Sequence, residues 1–558
     1  MSKGVGKMKN KLYRILPLFL ALCLLLSCSK TTGEQGETVS DAAEPFHASG
    51  QINMAFVQND TLSPYEAKTK SNQEISRLMY DGLVRLNDKF EPVYVLASDI
   101  TADGNKCTVT LNSSARFTDG KQVTADDVVY SISSAKNASL SKYYTKLENV
   151  IGYSATGTYT VELILKSTDE YIVRMLDFPV FERETEKQVD ADNKSVPPVG
   201  SGRYVFGQQN DNYYLEANPD WIGGRVNIAK INLVNLPDDD AVNHGTSVGS
   251  VDIYYSDLSS NDIPTMKGTT VAVTMQNLVY LGVNTSSGIL SDENLRRAVS
   301  SSIDRTEITN SVYFGYAVAA KGLFHSNISE LSGLQTINTA RDSDSAAAYL
   351  KNAGYIKQQA GDMAVNSSGK SINLTLLYNS ENNARLLLAT KISEYLKSAG
   401  IETTLKGLSF EEYKSAIQYH SYDLYIGEIK IPDNLDAYSV ATAGGLITLN
   451  LSSDSGAVES LPSDVTSSDE TVSDAADADT ANDGSAPKRV SLETALYKMH
   501  NGNGSVAEVL SCLNEQMSVI PVCHRNGLVI YSDKISSGLS PVPDDPFNGL
   551  ENCTVTNS

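Results

Sequence analysis

The sequence predicts an α/β protein that folds as several lobes, and three observations support this. First, the chain has 558 residues, more than the roughly 250–300 residues that one hydrophobic core usually serves, so two or three lobes are expected. Second, short stretches typical of strands alternate with stretches typical of helices along the chain, without a heptad run or an internal repeat. Third, a strand, a helix and another strand follow one another within residues 374–405, which is the βαβ order of a parallel sheet.

The first half of the chain carries four segments with clear patterns. Ile52, Met54, Phe56 and Val57 predict a first strand, and residues 73–80 predict a helix. Residues 106–111 and 158–165 alternate apolar and polar side chains, which is typical of strands that pair with each other.

The second half begins with a helix that Ser291 and Asp292 can start. Its apolar residues, Leu295, Ala298, Val299 and Ile303, fall on one face. The βαβ unit follows, with strands at 374–378 and 402–405 and a helix that Gly400 ends.

The last predicted elements are two helices and two closing strands. Apolar residues at 492–499 make one helical face, and Ser505 with Glu508 has the spacing of a capping box for the next helix. Residues 519–522 and 528–531 predict the strands.

The N-terminal residues are typical of a lipoprotein signal peptide at residues 1–27. A basic patch precedes the apolar run from Ile15 to Leu26, which is too short to span a membrane stably. Leu25-Leu26-Ser27-Cys28 resembles a bacterial lipobox, so we expect Cys28 to carry the lipid. Residues 28–44 are then the lipidated cysteine and a flexible tether, and the localisation is extracytoplasmic, anchored to the cell membrane.

The charge and the cysteine content limit the binding partners and the covalent cross-links that we expect. With 67 acidic and 45 basic residues, binding to nucleic acid or to an anionic membrane surface is disfavoured. Nine of the acidic residues lie within 452–486 without one basic residue, and we interpret 452–488 as an acidic disordered insertion. Four further cysteines, Cys107, Cys512, Cys523 and Cys553, could pair in an exported chain, but spacing does not determine how.

Enzyme motifs receive little support. Gly245 to Gly249 matches GxSxG in letters, yet an acidic turn precedes Ser247 and a strand-like segment follows, the reverse of a nucleophile elbow. The six histidines are scattered, and neither a Walker loop nor a strand-GxGxxG-helix occurs. We therefore predict a protein that is not an enzyme and has no cofactor and no metal site.

Four phrases resemble one family when they are taken in order. They are Phe117 to Ser131, containing Thr118-Asp119-Gly120-Lys121; Pro198 to Tyr204; Asn218-Pro219-Asp220-Trp221-Ile222-Gly223-Gly224; and Asp292 to Ile308, containing Ile303-Asp304-Arg305. Their order and spacing from about Ile52 to Val522 are similar to those of the peptide/nickel solute-binding proteins of ABC importers, the bacterial extracellular solute-binding proteins of family 5.

The resemblance implies a periplasmic-binding-protein-like fold of class II, cluster C, with three lobes, mixed sheets and a ligand cleft between two of them. Lobe I would combine 45–82, 197–275 and 526–558; lobe II would span 83–196; lobe III would span 276–525 and contain the insertion. Ligand would bind between lobes I and III, which close by hinge bending.

The resemblance also implies the site residues. In peptide-binding members an acid of lobe III pairs with the α-ammonium of the peptide, and the matching stretch here is Ile431 to Ala437. Asp433 is the first candidate for this clamp and Asp436 the second, with Asn434 between them; the alternative is that both acids only shape a polar loop. Lys430, near the place where the family often has Trp, could neutralise Asp433 or favour an anionic group.

Ser63 and Tyr65 lie in the N-terminal stretch 59–65, which corresponds to the family's ligand-contacting loop. The predicted function is capture of oligopeptides or dipeptides for ABC permease subunits, by a protein that is a monomer. The alternatives are another solute (a sugar, an opine or a nickel chelate) on the same fold, and a peptide-sensing receptor.

Overall fold

The computed structural model describes residues 48–189, 196–258, 268–286, 288–442 and 490–556. The predicted signal peptide, Cys28, the tether and the acidic insertion at 452–488 lie outside the described residues. The described residues belong to one compact unit. Within the described ranges, no helix is both long and apolar enough to cross a membrane.

The described chain contains strands and helices in alternation. The strands are β1 (Ser49–Phe56), β2 (Val84–Leu86), β3 (Pro92–Tyr94), β4 (Ala97–Asp103), β5 (Lys106–Leu111), β6 (Val150–Gly157), β7 (Thr160–Leu165), β8 (Tyr204–Gln209), β9 (Asn212–Ala217), β10 (Ile228–Asn235), β11 (Ile253–Ser256), β12 (Thr269–Val283), β13 (Ala317–Ala319), β14 (Asn373–Asn379), β15 (Glu402–Leu408), β16 (Leu424–Lys430) and β17 (Val519–Tyr531). The helices are α1 (Lys70–Met79), α2 (Ala125–Asn137), α3 (Lys142–Lys146), α4 (Asp239–Ser247), α5 (Glu293–Ser302), α6 (Arg305–Ser311), α7 (Ser343–Asn352), α8 (Asn383–Ala399), α9 (Phe410–Gln418), α10 (Ala437–Thr442), α11 (Leu492–His500) and α12 (Val506–Gln516).

One large mixed sheet has the order β15-β14-β16-β12-β17-β11-β1-β10-β9-β8, with β13 paired to β17. Two long antiparallel strands, β12 and β17, join its two halves, and their register shifts between Val273 and Asn277. A separate sheet has the order β4-β5-β7-β6, and β2 pairs with β3. The fold is therefore mixed α/β, as predicted.

The alternation of side chains along β12 separates two apolar cores. Leu278 and Tyr280 point into a core shared with α11 and α12, while Val279 and Leu281 point into a core shared with α5 and α8. This is the period of two that a strand with both faces buried requires.

Several predicted elements are confirmed by the structure. The βαβ unit is β14-α8-β15, its strands are parallel, and Gly400 ends the helix in the left-handed region. The structure also contains a reciprocal capping box of Thr124 and Asp127 at the start of α2.

Two local predictions are wrong in detail. Ser505 caps α12, but the carboxylate of Glu508 forms an ion pair with Lys498 instead of completing the capping box. The two closing strands are one continuous strand, β17, because its partners β11 and β12 supply hydrogen bonds along its whole length.

The structure also places the GxSxG match and the four cysteines outside the signal peptide and lipobox. Ser247 lies at the C-terminal end of α4, where its hydroxyl donates to the carbonyl of His244, so the GxSxG letters do not form a strand-turn-helix. Cys107, Cys523 and Cys553 are buried free thiols, and Cys512 is buried as well.

Candidate functional site

Asp433 lies in a tight turn between β16 and α10. The amide of Ile431 still donates to the carbonyl of Gln276 in β12, and the amide of Leu435 donates back to the carbonyl of Pro432. Leu435 adopts a positive φ of 64° to close this turn. The turn holds the Asp433 side chain in the interior, where it is 3 % exposed.

The carboxylate of Asp433 contacts the ammonium of Lys146, which α3 supplies from a distant part of the chain. Lys146 Nζ lies 2.9 Å from Asp433 Oδ2, 2.6 Å from Asp177 Oδ2 and 2.7 Å from Asp544 Oδ2. We call these four residues the Lys146 cluster. A primary ammonium has three N–H donors, and here it meets three carboxylates.

Burial and neighbouring charges shift the pKa values of Lys146, Asp433 and Asp544. Burial alone would lower the pKa of Lys146, but its three carboxylate partners outweigh burial and hold this pKa well above the ordinary value. Burial raises the pKa of Asp433; Asp544 adds to this effect, and Lys146 opposes it. Burial would also raise the pKa of Asp544, yet the surrounding cations, Lys146 first, hold it well below its usual range.

Further ionic groups surround Asp544. Lys430 Nζ lies 3.4 Å from Asp544 Oδ1, and Arg77 Nη2 and Lys142 Nζ each lie 3.8 Å from it. Glu74 Oε2 in turn lies 3.6 Å from Arg77 Nε. With Glu74 included, the four acids balance the four bases, so the whole assembly is close to neutral.

Three acids of the Lys146 cluster bring their oxygens close enough to hold a metal ion. Asp177, Asp433 and Asp544 each offer a carboxylate oxygen, and these atoms lie within 4.8 Å of one another. The ammonium of Lys146 contacts all three carboxylates, and so takes the position that a cation would need. The donor set therefore suits an ammonium rather than a metal ion.

A small cavity of about 50 Å³ lies beside Asp433 and Asp544. Gln276 lines it, and the Oε1 atom of this side chain is buried without a hydrogen-bond partner among the described residues. Glu74 also lines it, and its Oε2 atom is buried without a hydrogen bond in the described chain. Unpaired buried acceptors are costly, and a donor entering this cavity would satisfy them.

The other predicted site residues lie at varying distances from this cavity. Lys430 borders it and pairs with Asp544 rather than with Asp433. Asn434 Nδ2 donates to Asp169 Oδ2 at 2.7 Å, and Asp436 Oδ2 lies 2.8 Å from His500 Nδ1. Asn434 and Asp436 line a different cavity from the one beside Asp433.

Ser63 and Tyr65 are buried in the structure. The hydroxyl of Tyr65 donates to the carbonyl of Pro179, and its ring lies 5.6 Å from the ring of Tyr143. The amide of Ser63 donates to Thr61 Oγ1. Their predicted contact with ligand stays a prediction.

Sequence reasoning missed Lys146, Asp177 and Asp544. Lys146 and Asp544 are 398 positions apart, so no local pattern joins them. One local signal was present: Asp544 belongs to the stretch Pro543-Asp544-Asp545-Pro546, in which two prolines enclose two acids. Asp544 has a positive φ of 62°, which is uncommon for a residue other than glycine.

Comparison with known proteins adds to this geometry. The model of the family "Bacterial extracellular solute-binding proteins, family 5 Middle" matches residues 89–443. The oligopeptide-binding protein AppA of Bacillus subtilis is 26 % identical over 436 residues, which cover 71 % of this chain and 76 % of AppA. The periplasmic murein peptide-binding protein MppA of Escherichia coli is 22 % identical over 425 residues, which cover 70 % of this chain and 77 % of MppA.

A solved structure shows the same fold. The nickel ABC transporter protein from Bacillus halodurans aligns with a TM-score of 0.67 at 19 % identity, over 90 % of this chain and 99 % of that one. This likeness confirms the predicted periplasmic-binding-protein-like fold class.

Proposed function

Because the chain belongs to the bacterial extracellular solute-binding proteins of family 5, we propose that it captures peptides outside the cytoplasm and delivers them to the permease subunits of an ABC importer. Its role is binding by lobe closure rather than catalysis. The single observation that carries the peptide assignment is that the carboxylate of Asp433 contacts a primary ammonium, that of Lys146.

The α-ammonium of a peptide has the same donors as the ammonium of Lys146. Asp433, Gln276 and Glu74 line the small cavity, and Gln276 Oε1 is a buried acceptor without a hydrogen bond among the described residues. A ligand with a blocked amine would bring fewer donors to Asp433 and would leave Gln276 Oε1 unsatisfied, which is costly. The site therefore selects for a free N-terminus.

The cavity is too small for a whole peptide. Its volume of about 50 Å³ is a few times the roughly 10–15 Å³ that a cavity needs to hold one water molecule, so it accommodates an ammonium group and a few neighbouring atoms. Entry and release then require the lobes to separate. In the proposed division, Asp544 belongs to lobe I, Lys146 and Asp177 to lobe II and Asp433 to lobe III, so the Lys146 cluster would join all three lobes.

Membrane attachment is part of the same proposal. Residues 1–27 act as a lipoprotein signal peptide, Cys28 receives the lipid, and residues 28–44 tether the body, which works as a monomer. Cys28→Ser should release the protein from the membrane fraction into the soluble fraction, and retention of this variant in the membrane fraction would contradict the anchor.

Thermal unfolding of residues 29–558 tests the ligand class. The protein is heated with pooled short peptides and, separately, with the same peptides after N-acetylation. Free peptides at a hundred times their dissociation constant should stabilise the protein by about 2.7 kcal/mol, whereas acetylated peptides should not.

Two isosteric variants separate the candidate clamps. Asp433→Asn should abolish the stabilisation by free peptides, while Asp436→Asn should retain it because Asp436 is paired with His500. If no peptide stabilises the protein, the peptide assignment is wrong, and sugars, opines and nickel chelates become the ligands to test. If Asp433→Asn binds as the natural protein does, peptide binding stands without this clamp.

A further inference from the structure

A second cavity, of about 470 Å³, lies between residues 145–175 on one side and residues 432–439 and 499–504 on the other. We call it the lateral cavity. Tyr171 and Tyr438 contribute aromatic surface to its wall, and Met175 and Met499 contribute apolar surface. It borders the turn that carries Asp433, because Pro432 and Asn434 line it.

Acidic groups outnumber available basic groups around the lateral cavity. Its titratable lining consists of the carboxyl groups of Glu148, Asp169, Glu170 and Asp436, the basic groups of Lys146, Lys166 and His500, and the phenols of Tyr171 and Tyr438. The ammonium of Lys146 is taken up by its three aspartates. The remaining lining therefore has an excess of negative charge.

Two of these carboxylates are fixed in position by hydrogen bonds. Asp169 accepts from Asn434 Nδ2 at 2.7 Å and from the amide of Tyr171 at 2.9 Å. Asp436 accepts from the amide of Ser439 at 3.1 Å and lies 2.8 Å from His500 Nδ1. Both groups therefore face the cavity in a preset geometry.

Asp169 forms no ion pair with a lysine or arginine in the described part of the chain; its hydrogen bonds come from an amide side chain and a backbone amide, and His500 is the basic group that acts on it electrostatically. Burial raises the pKa of this carboxyl, and the nearby Asp436 adds to the effect. A ligand cation placed here would offset both the burial and the repulsion.

We propose that the lateral cavity binds the guanidinium or ammonium group of a basic peptide side chain, with Asp169 as its main partner. This rests on the proposed function, since the peptide backbone would start at Asp433, next to Asn434 in the turn. The class of substrate is thus a short peptide that carries arginine or lysine near its N-terminus.

The walls suit the rest of such a side chain. Methylene groups of arginine or lysine can lie against Met175 and Met499, and an aromatic ring can face the cation. The guanidinium carbon of Arg174 already lies 4.7 Å from the ring centroid of Tyr171, so a ligand cation would use the other face of this ring or the ring of Tyr438.

The test compares tripeptides that differ only in charge. Binding to the full-length chain in detergent is measured by calorimetry, with arginine or its neutral isostere citrulline at position 2 or 3. At one of these positions the arginine peptide should bind about tenfold more tightly than the citrulline peptide. Asp169→Asn should remove this preference, and the control Asp99→Asn, which removes an exposed acid of β4, should keep it.

Agmatine, which carries a guanidinium group but no peptide backbone, separates this inference from the proposed function. If no tripeptide binds but agmatine binds in a manner that depends on Asp169, the cation site stands and peptide capture fails. If arginine and citrulline peptides bind equally well, or if Asp169→Asn keeps the preference, the inference is overturned while peptide capture stands. If neither tripeptides nor agmatine bind, both are overturned.

Discussion

Two buried charge clusters in this protein have opposite compositions. The Lys146 cluster places one ammonium among three carboxylates. The second, which we call the Glu428 cluster, places one carboxylate between two guanidinium groups: Glu428 Oε1 lies 2.7 Å from Arg525 Nη2, and Glu428 Oε2 contacts Arg385. Both are largely shielded from water.

The two clusters differ in how firmly their members are held. Glu428 in β16 and Arg525 in β17 flank the same strand, β12, and Asn277 of that strand adds a hydrogen bond of 3.0 Å to Glu428. The planar guanidinium of Arg525 donates from two nitrogens to one carboxylate oxygen. Lysine presents instead a compact charge on a flexible stem, and its partners come from separate segments. The comparison indicates that the Glu428 cluster fixes the fold, while the Lys146 cluster can exchange partners.

The largest effect is expected from Glu428→Gln. Glutamine keeps the shape of the side chain but leaves two buried guanidinium groups without a carboxylate, which should lower the free energy of unfolding by about 3–5 kcal/mol. Chemical denaturation measures this change. The control Glu381→Gln removes an exposed carboxylate and should stay within about 0.5 kcal/mol of the natural protein.

The same variant should respond differently to acid. Burial alone would raise the pKa of Glu428, but Arg385 and Arg525 outweigh it and lower the pKa to about 2 from an ordinary 4.5. A lowered pKa contributes stability above pH 4.5 that is lost as the pH falls towards 2. The difference in the free energy of unfolding between the natural protein and Glu428→Gln should therefore decrease over this pH range, by on the order of 3 kcal/mol. A constant gap would contradict the ion-pair account.

Lys146→Met should destabilise the unliganded protein less than Glu428→Gln does. It should also favour ligand binding. Methionine replaces the lysine stem but leaves three buried carboxylates without their shared ammonium, at a cost of about 2–3 kcal/mol near neutral pH. Because the pKa of Asp433 is already raised, this variant should regain stability as the pH falls and the acid binds a proton. Free peptides should then raise its unfolding temperature more than they raise that of the natural protein.

Lys146→Met is expected to lower the stability of the unliganded protein and to increase its stabilisation by peptides, and few other effects would combine these two changes. A merely structural lysine would lower stability without increasing the response to peptides. Lys406→Met, which removes an exposed lysine of β15, should change neither quantity. If Lys146→Met responds to peptides no more than the natural protein does, Lys146 does not compete with the ligand for Asp433.

The same contrast explains how far the sequence could predict the structure. The unit β14-α8-β15 was predictable because apolar spacing and Gly400 are local signals. Asp433 was found through resemblance to a family, whereas Lys146 was missed because its partners lie 31 and 398 positions away. Buried ion pairs between distant segments leave no periodic pattern, so chain geometry must be known before they can be identified.

The smallest effect is expected from Lys430→Met, and it isolates the role of burial. Lys430 and Lys146 both contact Asp544, at 3.4 Å and 2.7 Å, but the side chain of Lys430 is 49 % exposed and that of Lys146 is 8 % exposed. Water and salt screen the exposed pair, so its loss should cost about 0.2–1 kcal/mol and less at high ionic strength. Denaturation of both variants at low and high salt measures the difference. Equal losses at both lysines would mean that proximity to Asp544, and not burial, sets the strength of the Lys146 cluster.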